Sequence, residues 1–372
     1  MSMCTDISSE MLYPIMPVFL KSIGFSVMLI GLLEGLAEAT AGFSKGYFGK
    51  LSDERRRRLP FVQFGYTLSA ISKPLMAVTV FPLWIFFSRT LDRLGKGMRT
   101  AARDAILSAE ASPETKGRVF GFHRALDTAG AFIGPSIALL FLYFYPGQYK
   151  TLFLVAFVPG IASALLTLVL KEPTPVVQKQ KSVPFFSFLR YWKDAPPSYR
   201  KIAGGLLVFT LINSSDIFLL LKAKEAGLTD LQVIGVYIFY NLVYAAFAYP
   251  AGMLADRWGL RNTLIVGLFI FASVYLGMSI HGSVVWIGFL FLLYGAYAAF
   301  TEGTIKAWLT NISDKKDTAT AIGTYTALQS ICTLIASTAA GVIWYSLGDA
   351  TLFIFTGIMA FLVACYFVVV KV

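Results

Sequence analysis

The sequence predicts an all-α integral membrane protein, with twelve transmembrane helices in two pseudo-symmetric six-helix bundles. Three observations predict it. The 372 residues are 56% hydrophobic and only 14% charged, whereas soluble domains carry roughly 25% charged residues. Apolar runs long enough to cross a hydrocarbon core as a helix, about 20 residues, fill most of the chain. Basic residues collect in alternate connections between those runs, as in a chain threaded back and forth through a bilayer.

The runs lie near 3–22, 26–49, 60–80, 83–108, 118–142, 151–170, 202–222, 232–254, 263–281, 284–309, 318–345 and 350–370. The first begins beside Met1, which leaves open a short helix or a native start further upstream. Asp6 and Glu10 interrupt its apolar stretch, so no cleavable signal peptide is expected. The connections after even-numbered helices hold Arg55–Arg58, Lys116 with Arg118, the long Lys171–Lys201 loop, Arg257 with Arg261, and Lys315 with Lys316. Those on the other side, Phe81-Pro82, Tyr145–Tyr149, His281–Ser283 and Leu347–Asp349, are short and mostly neutral; only 222–230 carries notable charge there. Both termini and the central loop are therefore expected in the cytoplasm, the chain being multi-pass in the plasma (inner) membrane.

This placement accounts for the net charge of +11 without a nucleic-acid footprint. The domain reading is a bundle over 1–170, a linker over 171–201 and a second bundle over 202–372. The linker is proline-rich (Pro173, Pro175, Pro184, Pro196, Pro197) and holds one amphipathic surface helix around 184–193. Cys4, Cys332 and Cys365 are too scattered for a disulfide framework or a metal cluster. No Gly-x-x-x-x-Gly-Lys-Ser/Thr loop is present, so ATP drive is not expected. The 32 Phe and 18 Tyr fit lipid-facing and interfacial positions.

The two halves repeat. Gly49-Lys-Leu-Ser-Asp53, followed by Glu54 and Arg55–Arg58, ends the second helix; Gly252-Met-Leu-Ala-Asp256-Arg257-Trp-Gly259-Leu-Arg261 ends the eighth. Ser8-Ser9-Glu10 is echoed by Ser214-Ser215-Asp216, and Lys96-Gly97-x-Arg99 more loosely by Glu302-Gly303-x-x-Lys306. Glycine at 49 and 252 lets a neighbouring helix approach. Asp53 and Asp256 can then accept hydrogen bonds from that helix's N-terminus or pair with arginines. Such contacts would close one side in one conformation and break in another, although Arg56–Arg58 individually read as topogenic.

The 252–261 pattern, with its degenerate copy at 49–58, resembles the signature loop of the major facilitator superfamily. The first copy departs from it, having Glu54 where an Arg is usual and no following glycine. Gly130-x-x-x-Gly134-Pro135 resembles a motif of antiporters in that superfamily, though small-xxx-small spacing also serves helix packing generally. The resemblance implies a drug- or metabolite-exporter-like transporter that rocks two bundles about a midplane site. Gly49, Asp53, Gly252, Asp256, Arg257, Arg261, Gly130, Gly134 and Pro135 are then its gating residues.

Ionisable side chains at mid-bilayer cost about 2.5–3.5 kcal/mol each on insertion scales, so each needs a partner or a watery cavity. At about 100° per residue, Arg89, Asp92, Lys96, Arg99 and Arg103 of the fourth helix fall within roughly 80°, with Arg93 and Asp104 at the edge. That stripe is expected to face the central cavity, opposite Asp6 and Glu10, Glu34 and Glu38, and His123 and Asp127. Glu10, Glu34, Glu38, Asp92, Asp127 and His123 are the candidate proton carriers. Arg89, Lys96, Arg99, Arg103, Arg124, Asp216, Glu302 and Lys306 are the candidate substrate contacts, guanidinium offering a bidentate grip on carboxylate or phosphate. The competing reading for each is a salt bridge that fixes helix register; Lys73, alone in the third helix, reads as snorkelling.

Taken together, a secondary active transporter of a small polar, anionic or zwitterionic solute is expected. It is read as a proton antiporter working in export, a monomer in the bilayer, with no metal and no cofactor beyond the proton gradient. An uncoupled facilitator and a proton-coupled importer remain alternatives, and a membrane-embedded enzyme a distant one.

Overall fold

The computed structural model describes residues 1–370 apart from 14, 17–18, 21–22, 26, 173–182 and 281, and only the backbone of 27–35, 230–231 and 234. Helices account for the regular structure, with no strand among the described residues. They are α1 (Ser2–Leu12), α2 (Val27–Glu54), α3 (Leu59–Val78), α4 (Pro82–Ala109), α5 (Lys116–Phe144) and α6 (Tyr149–Thr167), then α7a (Pro197–Ile212), α7b (Ile217–Glu225), α8 (Asp230–Trp258), α9 (Leu260–Met278), α10 (Val284–Asn311), α11 (Thr318–Leu347) and α12 (Asp349–Val369). Local chemistry sets several starts. Pro82 and Pro197 sit in the first turns of α4 and α7a, where a missing N–H leaves nothing unpaired. Thr229 and Gln232 close a capping box on α8, and the Ser283 hydroxyl accepts from the Trp286 N–H at the start of α10.

Two predicted spans need correction. The span at 3–22 is unbroken only to Leu12. Helical bonding resumes further on, with Phe19 N–H donating to the Ile15 carbonyl (2.9 Å) and Ile23 N–H to that of Phe19 (3.2 Å). The sequence places Pro14 and Pro17 here, and proline has no N–H to donate. The span at 202–222 starts earlier, at Pro197, and is interrupted: residues 213–215 leave the helix, and Asp216 precedes α7b. Asn, Ser and Asp compete for backbone hydrogen bonds with their own side chains, which is why the run yields there.

Contacts divide the chain into two compact units: 1–110 with 126–194 and 314–327, and 111–125 with 195–313 and 328–372. The first turns of α5 therefore count with the second unit, and those of α11 with the first. In the first unit α4 packs on α2 and α3, and α6 on α1 and α3. Met11, Met16, Phe19, Met76, Ile85 and Phe153 form an apolar core. Gly65 and Gly95 let α3 and α4 touch backbone to backbone: a Cβ on Gly65 would stand 2.7 Å from the Gly95 oxygen and 2.8 Å from Arg99 Cβ. In the second unit α8 and α9 pack on α10, and α9 on α12. Large apolar side chains such as Phe64, Leu140, Val158, Leu334 and Phe355 remain exposed, the surface that lipid covers.

The linker forms a 3-10 stretch, Phe185–Arg190, running into a short helical turn, Tyr191–Asp194. Phe188 is fully buried, its ring where Gly46 of α2 has no side chain. Lys50 Nζ donates to the Ser187 carbonyl (3.0 Å) and Thr324 Oγ1 to that of Phe188 (3.0 Å), so the linker joins α2 to the start of α11. Burial, reinforced by Asp317, Asp314 and Asp53 nearby, pushes the Tyr191 phenol up from its ordinary range, so it stays neutral.

Overpacking the α3–α4 contact should cost about 1–3 kcal/mol. Gly65→Val is expected to lower the thermal midpoint of the purified protein in detergent by several degrees. Gly204→Ala, where an added Cβ meets nothing within 4 Å, should leave it unchanged or raised. Equal midpoints for the two would show that the contact is not tight.

Candidate functional site

The first unit concentrates buried charge on α4. Arg89, Asp92, Arg93, Arg99, Arg103 and Asp104 are all buried. Asp92 accepts from Lys73 Nζ (2.7 Å) and Ser69 Oγ (2.5 Å), both on α3, with Arg89 3.8 Å away. Lys73 also reaches Ser9 of α1 (3.3 Å). It does not snorkel, being 1% exposed, because Asp92 on the antiparallel neighbour offers a charge at the same depth. Arg93 pairs with Glu38 of α2 (3.0 Å), and Arg103 with Asp104 (2.9 Å) and with Ser2 of α1 (2.9 Å). Arg99 lies over the ring of Tyr66, 4.8 Å from its centroid. The side chain of Glu34 lies outside the described residues.

A second group sits where α1, α4 and α5 meet. Asp6 feels the charges of Asp127, Arg99, Lys96 and Glu10. The approach of α1 to α5 follows from small residues: a Cβ on Gly130 would stand 2.9 Å from Asp6 Cβ, and one on Gly134 2.6 Å from the Ile7 carbonyl. Pro135 continues inside the same helix. The Gly-x-x-x-Gly-Pro run thus brings Asp127 to Asp6. His123, buried, lies one turn before Asp127 on α5.

In the second unit Arg124 pairs with Glu302 of α10 (2.8 Å), one turn from Lys306. Asp216, at the α7 break, accepts from Tyr294 Oη (2.6 Å), and Asn213 Nδ2 donates to Tyr297 Oη (3.1 Å). Tyr237, Tyr240, Tyr244, Tyr294 and Tyr297 form a continuous set of ring contacts around them.

Two carboxylates sit on helix N-termini. Asp53, ending α2, accepts from the Thr320 N–H (2.7 Å) and hydroxyl (2.9 Å) in the first turn of α11, and from Arg58 (2.9 Å). Asp256, ending α8, accepts from the Gly117 N–H (2.7 Å) and Arg118 N–H (2.9 Å) in the first turn of α5. A carboxylate there meets both unpaired N–H groups and the positive end of the dipole. Glycines admit both contacts, Gly49 against the Ala319 backbone and Gly252 against that of Gly117. The two motif arginines go elsewhere: Arg257 is exposed, and Arg261 donates to the Phe367 (2.7 Å) and Val368 (2.5 Å) carbonyls at the end of α12.

Such a pair of duplicated, carboxylate-capped helix contacts on an all-helical chain defines a class of membrane transporter, and comparison agrees. The sequence model of the Major Facilitator Superfamily matches residues 1–239 and 202–372. An uncharacterized MFS-type transporter of Methanocaldococcus jannaschii is 34% identical over 350 residues, 92% of this chain and 86% of that one. The multi-drug resistance efflux pump PmrA of Streptococcus pneumoniae is 23% identical over 325 residues, 84% of this chain and 79% of the pump. Among solved structures, the human organic anion transporter MFSD10 (TETRAN) superposes with a TM-score of 0.82 at 16% identity, covering 98% of this chain and 96% of that one. The chain belongs to the major facilitator superfamily. It is a multi-pass membrane transporter with the two-bundle fold of that family, acting on a small-molecule substrate.

Sequence reasoning missed three parts of this site. Lys73 reads from the sequence as a lone snorkelling residue, Asp6 stands only opposite the charged stripe, and the tyrosines read as lipid-facing or interfacial. The contact of Asp92 with Lys73 depends on how antiparallel helices register, which neither run states alone. The tyrosines at 240, 294 and 297 come from two helices, so no local spacing joins them.

Removing one member of a buried ion pair costs about 3–5 kcal/mol. Lys73→Met should therefore strongly destabilise the protein to denaturant in mixed micelles, and the pair Lys73→Met with Asp92→Asn should recover much of the loss. Additive losses in the double variant would mean that the two side chains act independently.

Proposed function

We propose that the protein is a proton-coupled antiporter that exports a small polar solute, anionic or zwitterionic, by alternating access across the plasma (inner) membrane, with both termini and the linker in the cytoplasm. The observation that carries this reading is the meeting of Asp6 and Asp127 beside Lys96 and Arg99. Two neighbouring carboxylates repel each other, and either a proton or an adjacent cation relieves the repulsion. A substrate anion that draws Arg99 or Lys96 to itself removes the cationic relief, and a proton substitutes for it. Solute and proton thereby exchange at one place, and Gly130 and Gly134 hold the two acids close enough for the exchange.

The capped helix ends supply the conformational control. Helix caps of this kind contribute about 0.5–2 kcal/mol each, enough to bias two states and weak enough to release in a working cycle. The basic connections on the linker side support the orientation, and the relationship to the PmrA efflux pump supports export. Arg89, Arg103 and Asp92 contribute positioning through their ion pairs, and Arg124 with Glu302 forms a second polar station in the other unit.

Solute identity would come first from a thermal-shift screen of the purified protein, followed by flux in proteoliposomes with an imposed pH gradient. Asp127→Asn should abolish gradient-driven flux while sparing exchange; driven flux at the native rate would remove Asp127 as a carrier. Flux indifferent to the gradient in the native protein would favour the facilitator. Separately, Asp256→Asn weakens the bonds to Gly117 and Arg118, and a tenfold shift of the conformational equilibrium corresponds to about 1.4 kcal/mol. Labelling at an introduced cysteine that only one state exposes should rise or fall several-fold. Labelling unchanged by both Asp53→Asn and Asp256→Asn would show that the caps do not bias the states.

A further inference from the structure

The break between α7a and α7b carries a carboxylate with no evident structural employment. Asp216 is the residue before α7b, yet its side chain does not cap that helix. It turns instead to Tyr294, and it forms no ion pair with any described residue. The charge acting on it most directly is Glu302, of the same sign. Around it stand aromatic rings and acceptor atoms. The Tyr240 and Tyr294 centroids are 5.1 Å apart, those of Tyr294 and Tyr297 5.3 Å. The Asn213 amide oxygen is buried without a hydrogen-bond partner among the described residues. The interruption of α7 also withdraws backbone carbonyls from helical pairing, and half-helix ends of this kind coordinate cations in transporters. Asp216, Asn213 and Tyr240 are only half-buried and Ser215 is exposed, so a solute can reach them.

We propose that Asp216, with the faces of Tyr240, Tyr294 and Tyr297 and the Asn213 amide oxygen, is a subsite for an organic ammonium group of the transported solute. Apart from the Tyr294 hydroxyl that donates to Asp216, the groups named here are negative, acceptors or π faces, and among the described residues no cation pairs with Asp216. A carboxylate partly withdrawn from water beside aromatic rings is stabilised when a positive charge joins it. Aromatic faces bind alkylammonium groups through the ring quadrupole. They serve a hard metal ion poorly, since calcium or magnesium takes six or more oxygen ligands. The inference rests on the transport reading and narrows it: of the anionic and zwitterionic solutes considered, it selects those that also carry an ammonium.

The test is binding by the full-length protein in detergent, where no gradient is present. Choline, its neutral carbon isostere 3,3-dimethylbutan-1-ol, and sodium chloride at matched concentration are titrated calorimetrically. Saturable choline binding is expected, at least tenfold tighter than that of the isostere and undiminished by sodium. Asp216→Asn and Tyr240→Leu should each weaken choline at least tenfold, while Tyr240→Phe, which keeps the ring, should not. Equal binding of choline and isostere, displacement by sodium, no saturable choline binding, or unchanged affinity in Asp216→Asn would each overturn the proposal. Should Asp216→Asn fail to fold, the isostere comparison on the native protein and the Tyr240 pair decide. Choline binding without gradient-driven flux would defeat the proton coupling alone; gradient-driven flux of a solute without choline binding would defeat this subsite alone.

Discussion

The structure of the first unit depends on satisfying the charges of α4 inside a bilayer. Six of its ionisable side chains are buried, and left alone each would oppose insertion by about 2.5–3.5 kcal/mol on insertion scales. Partners must therefore come from the neighbouring helices at matching depth: Lys73 and Ser69 from α3, Glu38 from α2, Ser2 from α1. Close packing is the condition for those contacts, and glycines supply it. Gly95 admits α3, and Gly97 admits Ser44 and the Ala41 backbone of α2. The charged stripe and the glycines between its members are thus two halves of one requirement.

The group around Asp6 differs from this scaffold in the mix of charges it gathers. Asp92 has a close cation and a close hydroxyl, and Arg103 has Asp104 beside it. Asp6 feels two further carboxylates, Asp127 and Glu10, together with two cations, Arg99 and Lys96. On the proposed reading the latter balance is the one a solute tips, whereas breaking the former would damage the fold. Buried ion pairs contribute little net stability but strongly penalise the loss of one partner, which suits a scaffold that must hold helix register through repeated conformational change.

Much of the fold was legible in the chain. The twelve runs each contain helix, the linker helix falls where amphipathicity placed it, and the carboxylates after Gly49 and Gly252 meet helix N-termini. These features are local, set by hydropathy, by basic connections and by a repeated motif. The Ser214-Ser215 pair reads as a polar contact or kink site, but the full α7 break was not legible because Asn213-Ser214-Ser215-Asp216 has no proline or glycine and lies inside an apolar run. The degenerate first motif was also resolved only in three dimensions. Glu54 stands where an arginine would, and Arg58, five residues beyond Asp53, supplies the guanidinium instead, bonding to Asp53 and to the Lys315 carbonyl (3.3 Å). Pairings between distant helices, such as Lys73 with Asp92, need the packing register that no single run encodes.

The central claim is that Asp6 and Asp127 together take up and yield a proton. Infrared difference spectroscopy of the protein in lipid, titrated in pH without any solute, reads this directly through the carbonyl stretch of a protonated carboxylic acid. The account predicts one titrating carboxylic acid band that Asp6→Asn and Asp127→Asn each alter or remove, and that Asp104→Asn leaves in place. A titrating band indifferent to both replacements, or no such band in the native protein, would contradict it.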